Sequence, residues 1–249
     1  MNLIIDAGNS QIKWAIYSGK EQIYKNSVSN WNNFEIDSIA AEYSKMSSAI
    51  LSSVRKIPLD IYQALTSKFD DLIELDHTLE LPISNNYHSP QTLGKDRIAA
   101  AVGGAQLFPG HPVLIIDMGT AITIDFVSKN SEYLGGNISP GMNLRFKALE
   151  HFTDGLPLVS QTTYPTLIGR NTTQAIQSGV QLGIIYELEA YINTLINKYN
   201  ELRVILTGGD ASVFVKNLKN TIFVVPDLVM DGLNTILEYQ KKRRIGINF

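Results

Sequence analysis

Residues 113–127 read Val-Leu-Ile-Ile-Asp-Met-Gly-Thr-Ala-Ile-Thr-Ile-Asp-Phe-Val. The stretch starts with four apolar residues, a pattern typical of a strand that is buried on both faces. A tight turn is predicted at residues 117–120, and after it apolar residues alternate with polar ones, as in a strand with one buried face. The stretch therefore predicts a β-hairpin whose tip carries a carboxylate (Asp117), a glycine (Gly119) and a hydroxyl (Thr120).

The beginning of the chain follows the same plan. Residues 3–5 are apolar, a polar turn follows at residues 6–10, and apolar residues recur at every second position over residues 12–16. Asp6 holds the place in this turn that Asp117 holds in the later one. We interpret the two stretches as an internal duplication of one hairpin.

The rest of the chain alternates predicted strands with predicted helices, which indicates an α/β fold whose sheets are covered by helices. The length of 249 residues is sufficient for two domains, each with a core of its own. We therefore predict two similar domains, an N-terminal one over residues 1–105 and a C-terminal one over residues 106–249.

Composition narrows the class of protein. Hydrophobic residues make up 44% of the chain and charged residues 18%, as in ordinary globular proteins. A formal net charge of −3 argues against an extended nucleic-acid surface, which needs clustered Lys and Arg.

The sequence has neither a long apolar run nor a signal-peptide pattern, so we expect no membrane partner and a cytoplasmic location. The absence of cysteine excludes disulfides and thiolate chemistry. The basic run at residues 241–244 predicts a solvated helix end or tail.

Three glycine turns follow predicted strands, at residues 6–10, 117–120 and 207–210. Glycine lets successive backbone amides point to one side, where they can bind a phosphate. The first two turns are predicted to clamp one polyphosphate, with Lys13 reaching back as a point charge. A carboxylate beside phosphate is repulsive unless a cation lies between them, so the aspartate of each turn implies a metal, bound directly or through water. One such turn alone is usually just a turn, but the matching copies favour phosphate binding. No Gly-x-x-x-x-Gly-Lys-Ser/Thr run occurs, so the chain is not a P-loop protein.

A polar loop over residues 76–93 leads to Asp96 and Arg97, ahead of an Ala- and Gly-rich predicted helix. Such a loop in a compact domain is often functional. Asp96 is a candidate to accept the proton of a hydroxyl that receives a phosphoryl group, and Arg97 to bind an acceptor carboxylate or the transferred phosphate. An alternative of equal weight is that Asp96 is the N-cap of the helix.

Two further segments are rich in glycine. Residues 135–141 are predicted to be a turn-rich link into a helix. Gly179 and Gly183 lie one turn apart in the longest predicted helix, over about residues 173–198. Their spacing indicates close helix packing, either within the chain or across a dimer, and does not decide between the two.

Four ordered motifs resemble those of the type III pantothenate kinases. They are Asp6-Ala7-Gly8-Asn9-Ser10-Gln11-Ile12-Lys13, Gly94-Lys95-Asp96-Arg97, Asp117-Met118-Gly119-Thr120-Ala121 and Gly169-Arg170-Asn171-Thr172. The similarity covers nearly the whole chain. It implies the duplicated actin-like fold of the acetate and sugar kinases, Hsp70 and actin, which is ribonuclease H-like. It also implies a transferase that phosphorylates pantothenate with ATP, the first step of coenzyme A biosynthesis.

The resemblance also implies roles for single residues. The segment Asp6 to Lys13 corresponds to the ATP-phosphate loop, and Thr120 to a second ATP contact. Asp96 corresponds to the catalytic proton acceptor. Pantothenate contacts correspond to Tyr87, Gly94, Lys95, Asp96, Arg97 and Thr172. Asp117 corresponds to the ligand of a monovalent cation, potassium or ammonium, while Mg²⁺ accompanies ATP. Family members are homodimers with the acceptor site near the subunit interface, which suits Gly179 and Gly183.

Departures from the family pattern are small. Ser10 stands where threonine is commoner and keeps the hydroxyl, and His88 is interpreted as a polar loop residue. Two alternatives stay open: another kinase or a phosphatase of the same superfamily, and a nucleotide-binding accessory factor for gene expression that lacks catalysis. The intact Asp96 favours an enzyme, because a regulator needs no positioned base.

Overall fold

A computed structural model describes residues 1–246 of the chain, which divides into two compact units. Unit 1 comprises residues 1–110, residues 131–134 and the chain from Asp227 onward, and unit 2 comprises residues 111–130 and 135–226. The C-terminal helix belongs to unit 1 in this division, whereas the sequence prediction placed it in the second domain. The domain boundary between residues 105 and 106 stays a prediction, and residues 247–249 of the predicted second domain lie outside the described residues.

The strands are β1 (Asn2–Ala7), β2 (Ile12–Ser18), β3 (Glu21–Val28), β4 (Ser48–Ser53), β5 (Asp71–Glu74), β6 (Ser84–Asn85), β7 (Val113–Met118), β8 (Ala121–Val127), β9 (Glu132–Pro140), β10 (Arg203–Thr207) and β11 (Phe223–Val224). The helices are α1 (Ile36–Glu42), α2 (Leu59–Lys68), α3 (Lys95–Leu107), α4 (Met142–His151), α5 (Thr172–Lys198), α6 (Ala211–Phe214) and α7 (Leu228–Arg244). Single 3₁₀ turns lie at Trp31–Asn33, Pro90–Thr92 and Val215–Asn217.

The strand order confirms the predicted duplication. The sheet of unit 1 has the order β3-β2-β1-β4-β5, and the strands β9-β8-β7-β10-β11 repeat that order. In each set the first two strands in sequence form an antiparallel hairpin, and the fourth strand runs parallel to the first. Strand β6 pairs in parallel with Glu132 and Tyr133, which belong to unit 1.

Each unit has its own apolar core, built from the period-2 strands and the helices beside them. In unit 1, side chains of β1 such as Leu3 and Ile5 pack with Leu65 of α2. In unit 2, Ile116 of β7 packs with Ile184 of α5. These central residues are fully buried, and burial of a large aliphatic side chain contributes about 1.5–3 kcal/mol relative to its exposure. The hairpins therefore rest on rigid sheets.

Helix α7 packs closely on α3 in unit 1. A Cβ atom added to Gly232 would lie 1.8 Å from the carbonyl oxygen of Ala99, and one added to Gly103 would lie 2.7 Å from that of Leu228. Only glycine permits this distance between the two backbones. The contact holds α3, whose first turn carries Asp96 and Arg97.

The prediction of a turn-rich link at residues 135–141 was wrong, because most of this segment lies in strand β9. Gly136 instead allows the backbones of β8 and β9 to approach each other closely. A Cβ on Gly136 would lie 2.1 Å from the carbonyl oxygen of Ile124 in β8. Glycine lowers strand propensity, so the sequence favoured a turn where the structure has a strand.

The predicted long helix is confirmed as α5, but the close packing of Gly179 and Gly183 within the chain was wrong. Apart from the adjacent backbone of α5 itself, a Cβ added to either glycine has no atom of residues 1–246 within 4 Å. The alternative, packing across a dimer, stays a prediction.

The basic run lies in the last turn of α7, as predicted. Arg243 and Arg244 form ion pairs there with Glu80 and Asp71. Over residues 1–246, no helix combines the length and the apolar character that a bilayer crossing requires.

Candidate active site

The first hairpin presents Asp6 at the end of β1. Asp6 lies opposite Lys13 on β2 and beside Ser52 on β4, whose hydroxyl donates a hydrogen bond to Asp6 Oδ1 (3.1 Å). Burial, and after it the negative charge of Asp96, raise the pKa of Asp6 to about 6. The Ser52 hydrogen bond and the charge of Lys13 act in the opposite direction.

The tip of this hairpin is polar and open. Asn9, Ser10 and Gln11 are exposed, while Ala7 and Ile12 on either side are buried in the sheet. The guanidinium group of Arg55 donates hydrogen bonds to the carbonyl oxygens of Asn9 and Ser29. The turn is thus held by a side chain from the loop after β4, and its exposed face remains accessible to a ligand.

Asp96 lies at the start of α3, where its Oδ1 accepts a hydrogen bond from the backbone N–H of Arg97 (2.8 Å). The N-cap position belongs to Gly94, so the alternative that Asp96 is the N-cap was wrong. A Cβ on Gly94 would lie 2.5 Å from Asp96 Oδ1, so a side chain at this position would displace the carboxylate. The Asp96 side chain is exposed and the helix N-terminus favours its negative charge.

Arg97 and Tyr87 form the second part of this site. Arg97 is only 5% exposed, and its guanidinium carbon lies 5.7 Å from the centroid of the Tyr87 ring. Tyr87 contacts the ring of Tyr133 in turn, with centroids 6.0 Å apart. A cation over an aromatic face is attracted to the ring and loses freedom of movement. Lys95 begins α3 beside them and is partly buried, while His88 is exposed, as the interpretation of a polar loop residue requires.

Unit 1 therefore brings together most of the predicted site residues. The turn at residues 6–13 and the start of α3 are close enough for Asp6 and Asp96 to interact electrostatically. Two carboxylates in such proximity are unfavourable unless a cation or a proton compensates them, and a Mg²⁺–phosphate group provides that compensation. The residues present fit a metal-bound polyphosphate, with Lys13 opposite Asp6 on β2.

The remaining predicted site residues lie in unit 2, and the second hairpin carries two of them. Asp117 is the second-last residue of β7, opposite Thr123 on β8 and beside Thr207 on β10. A Cβ on Gly208, which has a φ of +90°, would lie 2.4 Å from Asp117 Oδ1. A Cβ added to Gly119 would lie 3.5 Å from the same oxygen.

Asp117 brings a carboxylate oxygen to this turn, which is the ligand type that hard cations prefer. Among residues 1–246, no group of three or more His, Cys, Asp or Glu side chains is placed to hold a metal ion.

Thr120 is exposed at the tip of the second hairpin. Its carbonyl oxygen accepts a hydrogen bond from the backbone N–H of Gly141 (3.1 Å). A Cβ on Gly141 would lie 2.4 Å from the carbonyl oxygen of Gly119 and 2.5 Å from that of Thr120. The turn thus rests directly on the backbone that follows β9.

Thr172 is the first residue of α5 and is exposed. Asn171 caps the helix, since its side chain accepts a hydrogen bond from the N–H of Gln174 (2.9 Å). A Cβ on Gly169 would lie 2.3 Å from Ala175 N, so the preceding loop lies tightly against the helix. Thr172 faces a groove of about 1200 Å³ whose lining includes Leu144, Phe152 and Gly179.

Sequence reasoning missed three residues that support the two hairpins: Ser52, Arg55 and Arg145. Ser52 lies near the carboxyl end of β4, and Arg55 lies in the loop after it. Ligands of α/β proteins bind outside the carboxyl ends of parallel strands, so the position of Ser52 at the end of a buried strand was a usable signal. Arg145 carries no such signal, because its contacts depend on the path of the chain after β9.

The chain is similar to known proteins over most of its length. The sequence model of the family described as type III pantothenate kinase matches residues 2–194. A type III pantothenate kinase from Phocaeicola vulgatus is 44% identical over 244 residues, which cover 97% of this chain and 100% of that protein.

Two solved structures are similar in fold. A Campylobacter jejuni protein described as a Baf family transcriptional activator has a TM-score of 0.61 at 24% identity, covering 96% of this chain and 99% of its own. Lmo2764 from Listeria monocytogenes, described as an N-acetylmannosamine kinase, has a TM-score of 0.55 at 12% identity, with coverage of 96% and 99%. With the repeated strand order, these similarities confirm the duplicated actin-like fold.

Proposed function

The chain belongs to the type III pantothenate kinase family, and from this premise we propose that it phosphorylates pantothenate with ATP. The product is 4′-phosphopantothenate, and the reaction is the first step of coenzyme A biosynthesis. One observation carries the proposal: unit 1 places two carboxylates near each other in different surroundings. Asp6 stands on a glycine turn beside Lys13, and Asp96 stands at a helix start beside Arg97.

Phosphoryl transfer requires a clamped donor, neutralised charge and an acceptor hydroxyl aimed in line. We assign the donor phosphates to the backbone amides of residues 6–13, with the Lys13 ammonium as a point charge. Thr120 provides a second contact to ATP. Asp6 would hold the Mg²⁺ that accompanies ATP, directly or through water, and the metal would supply positive charge that neutralises the phosphates.

Asp96 is the proton acceptor in this proposal. The primary hydroxyl oxygen of pantothenate forms a bond to the γ-phosphorus, the bond from that phosphorus to the ADP oxygen breaks, and the hydroxyl proton passes to Asp96. The exposure of the Asp96 carboxylate supports this role, because a substrate can reach it.

Arg97 binds the carboxylate of pantothenate. Its burial against Tyr87 favours a fixed guanidinium, which pairs with carboxylates through two parallel hydrogen bonds. Tyr87, Gly94, Lys95 and Thr172 complete the acceptor contacts that the family resemblance implies.

We further propose that Asp117 holds a monovalent cation, potassium or ammonium. The carboxylate oxygens of Asp117, a ligand type that hard cations prefer, support a cation at this position. The cation supplies a fixed positive charge near the phosphate-binding turn, which the Asp117 carboxylate would otherwise make repulsive to a polyanion.

We also propose that the protein is a homodimer. Unit 2 exposes large apolar side chains around the groove at Thr172, among them Phe152 (80% exposed), and the nearby Leu167 and Ile168. Gly179 on α5 has open space in front of it, where a second helix would pack closely. Contiguous exposed apolar surface of this kind typically marks an interaction site. We place the reaction in the cytoplasm, where ATP is available.

A coupled assay of ADP release tests the proposed function. The purified chain is incubated with Mg²⁺, K⁺, ATP and pantothenate, and pantothenate is omitted in the control. We expect ADP release that depends on pantothenate, with one 4′-phosphopantothenate formed per ADP. ATP turnover that is indifferent to pantothenate, or no turnover, would contradict the proposal.

A further inference from the structure

We propose that Arg145 is a positioning residue for the turn at Gly119 and Thr120. The inference rests on the proposed function, in which Thr120 contacts ATP, and it adds a residue that none of the four sequence motifs includes. Arg145 lies on α4, the helix that follows β9.

The turn depends on the segment that follows β9. Gly141 donates its N–H to the carbonyl oxygen of Thr120, and it approaches Gly119 so closely that any Cβ would clash with the backbone. A shift of Gly141 by a fraction of an ångström therefore has to move the turn or break this contact. The position of residues 139–141 thus determines where Thr120 presents its amide and hydroxyl.

Arg145 holds this segment at two consecutive residues. Its Nε donates a hydrogen bond to the carbonyl oxygen of Pro140 (2.8 Å), and its Nη2 donates one to the hydroxyl of Ser139 (3.1 Å). The backbone N–H of Arg145 also donates to the carbonyl oxygen of Gly141 (3.0 Å). Because the guanidinium group is planar, two bonds from different nitrogens fix both the distance and the orientation of the segment.

Glu187 of α5 holds the guanidinium group in place. Its carboxylate forms an ion pair with Nη2 of Arg145, and the two side chains are only 24% and 22% exposed. A partly buried pair is screened less by salt than a surface pair. The chain of contacts thus runs from Glu187 through Arg145 to Pro140 and Gly141, and ends at Thr120.

A competing role for Arg145 has to be separated from this one. Arg145 also lines the groove that Thr172 faces, so it is placed to contact the acceptor directly. A positioning role predicts weaker nucleotide binding with little change in the KM for pantothenate. A direct acceptor contact predicts the reverse.

Titration calorimetry with MgADP tests the inference without relying on turnover. We expect Arg145→Ala to raise the Kd for MgADP about tenfold, the size expected when a charged hydrogen-bond donor is removed. Arg145→Lys should recover part of the loss, because lysine keeps the charge but lacks the planar fork. Glu187→Gln, which leaves Arg145 in place without its counter-charge, should raise the Kd about threefold. The KM for pantothenate should stay within about twofold of the wild-type value in all three variants.

Lys147→Ala is the matched control, because Lys147 is an exposed cation on the same helix. It should bind MgADP like the wild type. Folded Arg145→Ala protein with wild-type affinity for MgADP would overturn the inference, as would a rise confined to the pantothenate KM. If Arg145→Ala does not fold, Glu187→Gln decides, and an unchanged Kd in that variant overturns the inference. Wild-type protein that binds MgADP but shows no pantothenate-dependent ADP release would contradict the proposed function alone.

Discussion

The two hairpins share one backbone plan but are supported in different ways. In the first, polar side chains hold the turn: Ser52 donates to Asp6, and Arg55 donates to the carbonyl oxygen of Asn9. In the second, backbone packs on backbone, since Gly141 and Gly208 approach the turn where any side chain would clash. The two hairpins therefore belong to sheets with the same strand order, but different kinds of contact hold the two turns. The immediate contacts of the first turn depend on charge, and those of the second turn depend on side-chain volume.

The largest effect is expected at Asp96, whose charge acts on the first turn through Asp6. We expect Asp96→Asn to lower kcat by about 10²-fold or more, because the amide cannot accept the hydroxyl proton. ATP binding should be retained. Steady-state kinetics and calorimetry with nucleotide measure the two effects.

Asp60→Asn is the control for Asp96→Asn. Asp60 is an exposed carboxylate in the first turn of α2, as Asp96 is in the first turn of α3. Near-normal turnover of the Asp96 variant would remove Asp96 from the mechanism.

A matched pair of positions, Gly208 and Ser53, tests whether the second turn is more sensitive to side-chain volume than the first. Gly208 follows the residue beside Asp117, and Ser53 follows the residue beside Asp6. We expect Gly208→Ala to destabilise the protein by about 3 kcal/mol, because its φ of +90° and the 2.4 Å approach to Asp117 both oppose a side chain. Ser53→Ala should cost only about 1 kcal/mol, from lost hydrogen bonds with Arg55. Denaturant unfolding measures both, and equal losses would contradict the contrast between the turns.

Charge is tested at Asp6 through the pH dependence of stability. The folded-state pKa of Asp6 is raised to about 6 from 3.8, so the folded protein retains a proton on Asp6 that the unfolded chain has lost. This contribution to stability is fully present below pH 3.8 and is lost as the pH rises through about 6.

Asp6→Asn should therefore stabilise the nucleotide-free protein by about 2 kcal/mol at pH 7.5 and have little effect near pH 4. Urea unfolding at the two pH values measures the difference. A stability gain that is the same at both pH values would exclude the titration of Asp6 as its cause.

The smallest expected effect concerns Asp117. We expect turnover to rise a few-fold, about 1 kcal/mol, when potassium or ammonium replaces sodium. Asp117→Asn should abolish this difference between the salts. A flat response of the wild-type protein to the three salts would remove the cation from the second hairpin and leave only its backbone contacts.

Much of the fold was predictable from local patterns. Continuous apolar runs marked β1 and β7, alternation with a period of two marked β2 and β8, and the repeat of this plan indicated two similar domains. The strand at residues 132–140 was not predictable, because Gly135 and Gly136 indicate a turn when their neighbours in space are unknown. The placement of α7 in unit 1 also depends on a distant contact, the packing of Gly232 on Ala99.

The candidate site divides in the same way. The motifs identified Asp6, Asp96 and Asp117 because each follows a strand or begins a helix at a glycine. Their roles stay predictions, since residue type and spacing do not show what a carboxylate binds. Ser52, Arg55 and Arg145 carry no motif, and their contacts with the turns arise only when separate segments meet.

The sequence by itself determined the duplicated hairpins, the glycine turns and the family, because these depend on residue types at short spacing. Tertiary structure alone decided the environment of each turn. The raised pKa of Asp6 requires burial and a nearby Asp96, and the placement of Thr120 requires the backbone of Gly141. Electrostatic and packing energies depend on distances between atoms that are far apart in the chain, and only the folded protein sets those distances.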